Sequence, residues 1–144
     1  MAILSAKVKV ATLTLTAAQL DTLFATPVTI IPAPGAGKVA VVISAHCRLQ
    51  RGTTAYTSRN LQIQWTGLTT NLIQTISILF ANGPGSALDQ FFSAARASTL
   101  TLTAGVDPSN RAVEVTVQTG DIGAVAGSDT LKVVVLYEEV PSLY

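Results

Sequence analysis

Two segments of the chain alternate apolar and polar side chains with a period of two, "LQIQW" at 61–65 and "AVEVTVQ" at 112–118, and "LKVVVLYEE" at 131–139 holds an apolar residue at every second position from Leu131 to Tyr137. A strand places successive side chains on opposite faces, so this pattern requires strands with one face buried and the other turned outward. The inward sets are then Leu61/Ile63/Trp65, Val113/Val115/Val117 and Leu131/Val133/Val135/Tyr137. "KVAVVISAHCRLQ" at 38–50 is a longer and nearly continuous strand signal. "VTII" at 28–31, "NLIQTISILF" at 71–80 and "TLTLTA" at 99–104 add three more. In "KVKVATLTL" at 7–15 the phase changes: Val8 and Val10 share one face, Leu13 and Leu15 the other. A bulge or bend near Ala11 is expected, or else an edge strand that passes from one partner to another.

Helical periodicity is confined to short stretches. "TAAQLDTLF" at 16–24 has Thr16 and Gln19 at capping-box spacing, with Leu20, Leu23 and Phe24 repeating every three to four residues. A helix of two turns near 17–24 is expected, ending before Pro27, which disfavours helical geometry at Thr26. "ANGPGSALDQFFSAARAS" at 81–98 is too long for a tight hairpin, and one or two helical turns are expected within it. Some eight strands and no regular alternation with long helices indicate an all-β chain. Two antiparallel sheets packed face to face would bury the stripes. A jelly roll is the first expectation, with an immunoglobulin-like sandwich or a closed barrel as alternatives. With 144 residues, the chain is expected to form one β-sandwich domain over 1–144, its two ends reaching out as arms.

Hydrophobic residues make up 49% of the chain and charged residues 12%, about half the usual charged share. Such a chain can remain soluble by covering part of its surface with a partner. The net charge of +1 argues against direct nucleic-acid binding. Charge is uneven along the sequence: residues 1–72 hold six Lys/Arg and one acid, residues 73–144 three Lys/Arg and seven acids. Copies could meet head to tail if the halves occupied different faces, whereas intertwined strands would erase the asymmetry. Cys47 is the only cysteine, which excludes an internal disulfide and suits folding in a reducing cytoplasm. No apolar run is long enough for a membrane span, and the opening residues do not form a convincing signal peptide.

Few residues suggest chemistry. "PAPGAGK" at 32–38 has the glycines and lysine of a phosphate loop, but Pro32 and Val39 stand where glycine and Ser/Thr are needed. It also leads into a strand, not a helix whose amides would receive an anion. It reads as a turn built by Pro32, Pro34, Gly35, Gly37 and Lys38. His46 and Cys47 are strand neighbours on opposite faces, which denies them a catalytic pairing. Cys47 reads as a small core or interface residue. Asp107, Asp121 and Asp129 lie in loops where aspartate caps turns; calcium is a minor alternative there. No nucleophile–base–orienter set can be assembled, so no catalytic, cofactor or metal site is expected. The candidate residues are those of a protein interface. Arg48, Arg51 and Arg59 surround Thr53, Thr54 and Tyr56; Phe91 and Phe92 lie in the long 81–98 segment; Leu143 and Tyr144 end the chain.

The segment "TLTAAQLDTLFATPVTIIPAPGAGKVAVVISAHCRLQRGTTAY", residues 14–56, resembles the start of a group of small structural proteins of tailed bacteriophages. Its ordered marks are "TAAQ", "TPV", "PAPGAGK" and "TTAY". The resemblance covers near a third of the chain. It implies a virion protein assembled in the host cytoplasm, with a capsid decoration or cement protein as the first expectation. Such proteins are small β sandwiches that sit over capsid symmetry axes, commonly as homotrimers, and their partner is the major capsid protein. By the same resemblance Pro32, Pro34, Gly35, Gly37 and Lys38 shape a turn, and Thr53, Thr54 and Tyr56 belong to the following loop. A neck or tail component is the near alternative. A carbohydrate-binding β-sandwich module is the alternative from another class, with Trp65 and the tyrosines as stacking surfaces unless Trp65 is core.

Overall fold

The computed structural model describes residues 7–50, 59–68, 71–78, 90–95, 106–118, 120 and 129–142, with Arg59 and the segments 71–78 and 90–95 described by backbone alone. The elements are β1 (Lys9–Thr16), α1 (Ala17–Asp21), β2 (Val28–Ile31), β3 (Lys38–Gln50), β4 (Arg59–Trp65), β5 (Asn71–Ile78), β6 (Gln90–Ala95), β7 (Val113–Val117) and β8 (Thr130–Pro141). They form two four-stranded antiparallel sheets, β1-β8-β3-β6 and β2-β7-β4-β5. The first strand pairs the last, the second the seventh, the third the sixth and the fourth the fifth. This nested pairing, split between two sheets, is the topology of a jelly roll.

The alternating stripes supply the core between the sheets. Leu131, Val133 and Val135 of β8, Leu61, Ile63 and Trp65 of β4, and Val113, Val115 and Val117 of β7 are all buried. From β3 come Ala40, Val42, Ala45, Cys47 and Leu49. The step of three from Val42 to Ala45 marks a bulge, where the β3–β8 register shifts between Val42 and Ser44. Ile43 is left exposed there. Each fully buried aliphatic side chain contributes on the order of 1.5–3 kcal/mol relative to exposure.

The expected bulge near Ala11 is absent. β1 pairs β8 in unbroken register from Lys9↔Tyr137 to Thr16↔Thr130. Leu15 faces the core, and Val8 and Val10 stand on the outer face, 51% and 62% exposed. The phase change is thus a change of environment along a regular strand. The helix is shorter than expected. The capping box forms as read, with Gln19 N–H donating to Thr16 Oγ1 and Thr16 N–H to Gln19 Oε1, but α1 ends at Asp21 and turns follow. Residues 90–95, expected to include helical turns, are strand β6. The expected strand at 99–104 lies outside the described residues.

Trp65 Nε1 on β4 donates to the Ala40 carbonyl on β3 at 3.0 Å, a hydrogen bond that joins the two sheets directly. The pairing of β6 along β3 ends at Ser44, so Ala40 lies beyond that partner. At the same end of the interior, Lys9 donates to Glu139 at 2.6 Å across β1 and β8. That pair also shows why the charge asymmetry of the sequence halves does not segregate: early and late strands interleave in both sheets.

Trp65→Phe removes the inter-sheet donor, strands a buried carbonyl and leaves a small void. The expected loss of stability is about 2–4 kcal/mol, read by urea denaturation followed by far-ultraviolet circular dichroism. A loss comparable to that of a neutral surface change would show that this bond does not tie the sheets.

Candidate functional site

The "PAPGAGK" turn is structural. Lys38 N–H donates to Gly35 carbonyl at 3.2 Å, and Gly37 has φ 71° at the third position of the four-residue turn. That combination is a type II turn, which favours glycine there. Gly35, at φ 100°, donates its N–H to Asn110 Oδ1, and Asn110 N–H returns to the Lys38 carbonyl. Ser142 N–H donates to the Gly37 carbonyl. The turn therefore ties the start of β3 to the loop before β7 and to the end of β8. Pro32 and Lys38 are exposed and Pro34 half-buried, and the turn leads into β3. The same loop is braced by Asp107, whose carboxylate accepts from the Ser109 hydroxyl at 2.6 Å and amide at 2.7 Å. The Ser109 hydroxyl, then its amide, hold the Asp107 carboxyl below the ordinary aspartate value.

The proposed interface residues separate. Arg48 is exposed on the outer face of β3, opposite Lys132 of β8 and Phe91 of β6 in register. Phe92 is opposite Cys47. Arg59 starts β4 in the other sheet, opposite Ile78. Arg48 and Arg59 thus belong to different sheets. Arg51, Thr53, Thr54, Tyr56, Leu143 and Tyr144 lie outside the described residues. Lys9 and Val10 belong to β1, and Val140 and Pro141 to β8; the terminal residues expected to form arms lie outside the described residues.

His46 and Cys47 do fall on opposite faces. Cys47 is 1% exposed, and burial pushes its thiol up to about 12. Asp129 is fully buried just before β8. Among the described residues, no three His, Cys, Asp or Glu side chains gather as a metal site, and no helix is long and apolar enough to cross a membrane.

Two surfaces escaped the sequence reading. The first is the outer face of β1-β8-β3. Across it run the rows Val10–Leu136–Ser44, Thr12–Val134–His46 and Thr14–Lys132–Arg48. Val8, Val10 and Ile43 are exposed, while Val41, Val134 and Leu136 are half-buried. Apolar side chains thus occupy one end, and two cations stand opposite each other at the other. Like charges directly across a strand pair repel unless a partner compensates them. The phase change at Val8 and Val10 is the signal, read as a bulge, a bend or an edge strand; β1 is an edge strand in unbroken register, and the change marks an apolar outer face.

The second surface lies on the outer side of β4 and β7. The β1–β2 connection folds over it, held by Thr116 Oγ1 donating to the Leu23 carbonyl at 3.2 Å. It encloses a recess of about 380 Å³ lined by Phe24, Pro27, Gln62, Gln64, Thr116 and Gln118. Phe24, expected to join the helix's apolar face, is 47% exposed. Gln62 and Gln64 were read only as the outward half of an alternation. The covering connection, which periodicity cannot foretell, makes Gln62 8% exposed.

No family model and no curated protein matches the sequence. Among solved structures, a chain described as "Cyanophage Pam1 capsid asymmetric unit" is similar in fold, with 19% identity and a TM-score of 0.54. The likeness covers 96% of this chain and 89% of that one, so the whole jelly roll takes part.

Two measurements check the structural readings. Gly37→Ala should lower stability by roughly 1–2 kcal/mol, the cost of a left-handed L-residue, and Gly37→Asn by less. Equal, negligible losses would contradict the turn geometry. Cys47 should resist iodoacetamide at pH 8 in the folded protein and react once unfolded, since a buried neutral thiol is a poor nucleophile; rapid native labelling would contradict its burial.

Proposed function

We propose that the chain is a bacteriophage capsid-associated structural protein and, more finely, a decoration or cement protein. It binds the outer shell across capsomer boundaries as a homotrimer, with the major capsid protein as its partner, on the virion surface. Its role is binding, not catalysis. The observation that carries this reading is the fold likeness over nearly the whole chain to a chain of a cyanophage capsid asymmetric unit. The resemblance of residues 14–56 to small tailed-phage structural proteins supports it from the sequence side.

The docking face assigned to the shell is the outer side of β1-β8-β3. Val8, Val10 and Ile43 supply apolar area whose burial favours association, at about 25 cal/mol per Å² before the costs of ordering. Lys132 and Arg48 at the other end select a partner surface with acidic groups beside an apolar centre. Contacts that exist only in the assembled shell stabilise that shell by linkage, by RT ln(1 + c/Kd) for a free protein concentration c.

The test is co-sedimentation with capsids that lack the protein, alongside light scattering of the protein alone. A trimer that saturates vacant shell sites is expected. The double change Val10→Asp/Ile43→Asp should leave the fold intact and weaken shell binding roughly a hundredfold, about 2.7 kcal/mol. A folded variant that binds unchanged would remove this face from the contact. A monomer indifferent to the shell would overturn the decoration role, and a ring of higher order would favour a neck or tail position.

A further inference from the structure

The recess over β4 and β7 is a different kind of surface from the apolar face on the opposite sheet. We propose that it is a binding site for a neutral saccharide. Its central observation is Gln62. That residue is 8% exposed and lines the recess, and its amide is not among the sealed-off unpaired side-chain groups of the described residues, so it faces the recess where a ligand can reach it. Buried amides are ordinarily paired, and one that faces a recess offers both a donor and an acceptor to a ligand.

Its neighbours are positioned by bonds at their far ends. Gln64 Nε2 donates to Glu114 Oε1 at 2.8 Å, which directs its carbonyl oxygen away as an acceptor. Asn60 Nδ2 donates to Gln118 Oε1 at 2.9 Å, which leaves the Gln118 amide group as a donor. Gln62 lies opposite Thr116 in the register, between these two pairs. Along β4 the amides at 62 and 64 are about 7 Å apart, two strand residues on one face. The recess thus offers a donor, a donor–acceptor and an acceptor in sequence. Hydroxyl groups both donate and accept, so a polyhydroxylated ring answers all three.

The remaining walls agree with that chemistry. Phe24 and Pro27 present apolar surface beside the amides, against which the C–H face of a sugar ring can lie. No described lining residue carries a charge, which removes the usual means of holding an anionic ligand. A peptide in extended form sends alternate backbone groups to opposite sides, so it would reach few of the amides. The volume of about 380 Å³ is within the ~300–1,000 Å³ typical of small-molecule sites.

The test uses the full-length, isotopically labelled protein and follows side-chain amide resonances. The probes are trisaccharides of glucose, mannose, galactose and N-acetylglucosamine, at millimolar concentrations. At least one should shift the Gln62, Gln64 and Gln118 amide signals together. Gln62→Leu should weaken that binding roughly tenfold or more and raise the melting temperature, because a nearly buried amide is replaced by an apolar side chain. Phe24→Ser should also weaken binding with the fold kept, and Thr12→Ser on the opposite sheet should change nothing. Overturning results are no shift with any of the four, shifts only outside the recess, or binding restricted to sialylated or sulfated glycans. A shift by N-acetylglycine amide without any sugar response would equally overturn it in favour of a peptide site. Because the protein is tested without capsids, failure here leaves shell binding to be decided by its own measurement.

Discussion

Strand β8 lies between β1 and β3, and much of the remaining structure depends on it being there. It pairs along nearly its full length with β3 and along eight residues with β1. Its inward residues Leu131, Val133 and Val135 are completely buried. The last strand thereby bridges two early ones, and the sheet containing β1 cannot close until the end of the chain has arrived. Among the described pairings only β4–β5 joins strands adjacent in sequence. Folding that depends on such distant pairing is expected to be slow, since loop-closure entropy is lost before the contacts form. The same nesting interleaves strands from the basic and acidic halves of the chain in both sheets.

Much of this core was legible because one-sided burial writes itself as alternation. Leu61, Ile63 and Trp65 are inside for the reason their spacing gives, and Trp65 adds a hydrogen bond that only packing reveals. The Thr16–Gln19 cap and the glycines of the "PAPGAGK" turn were legible too, since each reflects local backbone chemistry. What failed was anything decided by distant neighbours. Residues 90–95 have a composition that permits helix, yet β3 supplies a partner edge and they become β6. Val8 and Val10 break phase because they stand exposed on the outer face among the described residues, whereas β3 carries a bulge at Ile43. Of the candidate interface residues, Arg48 lies on the outer face of β3 and Arg59 begins β4 in the other sheet, a separation set by strand order that spacing does not encode.

The sandwich therefore has two unlike outer faces. One carries exposed valines and an isoleucine with cations at its far end; the other carries ordered amides beneath a folded-over connection. A protein attached to a surface through the first would turn the second toward solvent. That division follows from the jelly roll itself, in which every strand has one buried side and the two sheets point their other sides in opposite directions. Edge strand β1 also carries Lys9, and charge on an edge discourages uncontrolled strand addition.

The proposed attachment of this chain to a capsid runs through the outer face of β1-β8-β3. The most direct measurement is electron cryomicroscopy of capsids reconstituted with the protein, at a resolution that separates the two sheets. The account predicts added density over the shell, with Val10, Ile43 and Leu136 against the capsid protein and the β4–β7 recess facing outward. Density with the recess against the shell, or none on the shell at all, would contradict it.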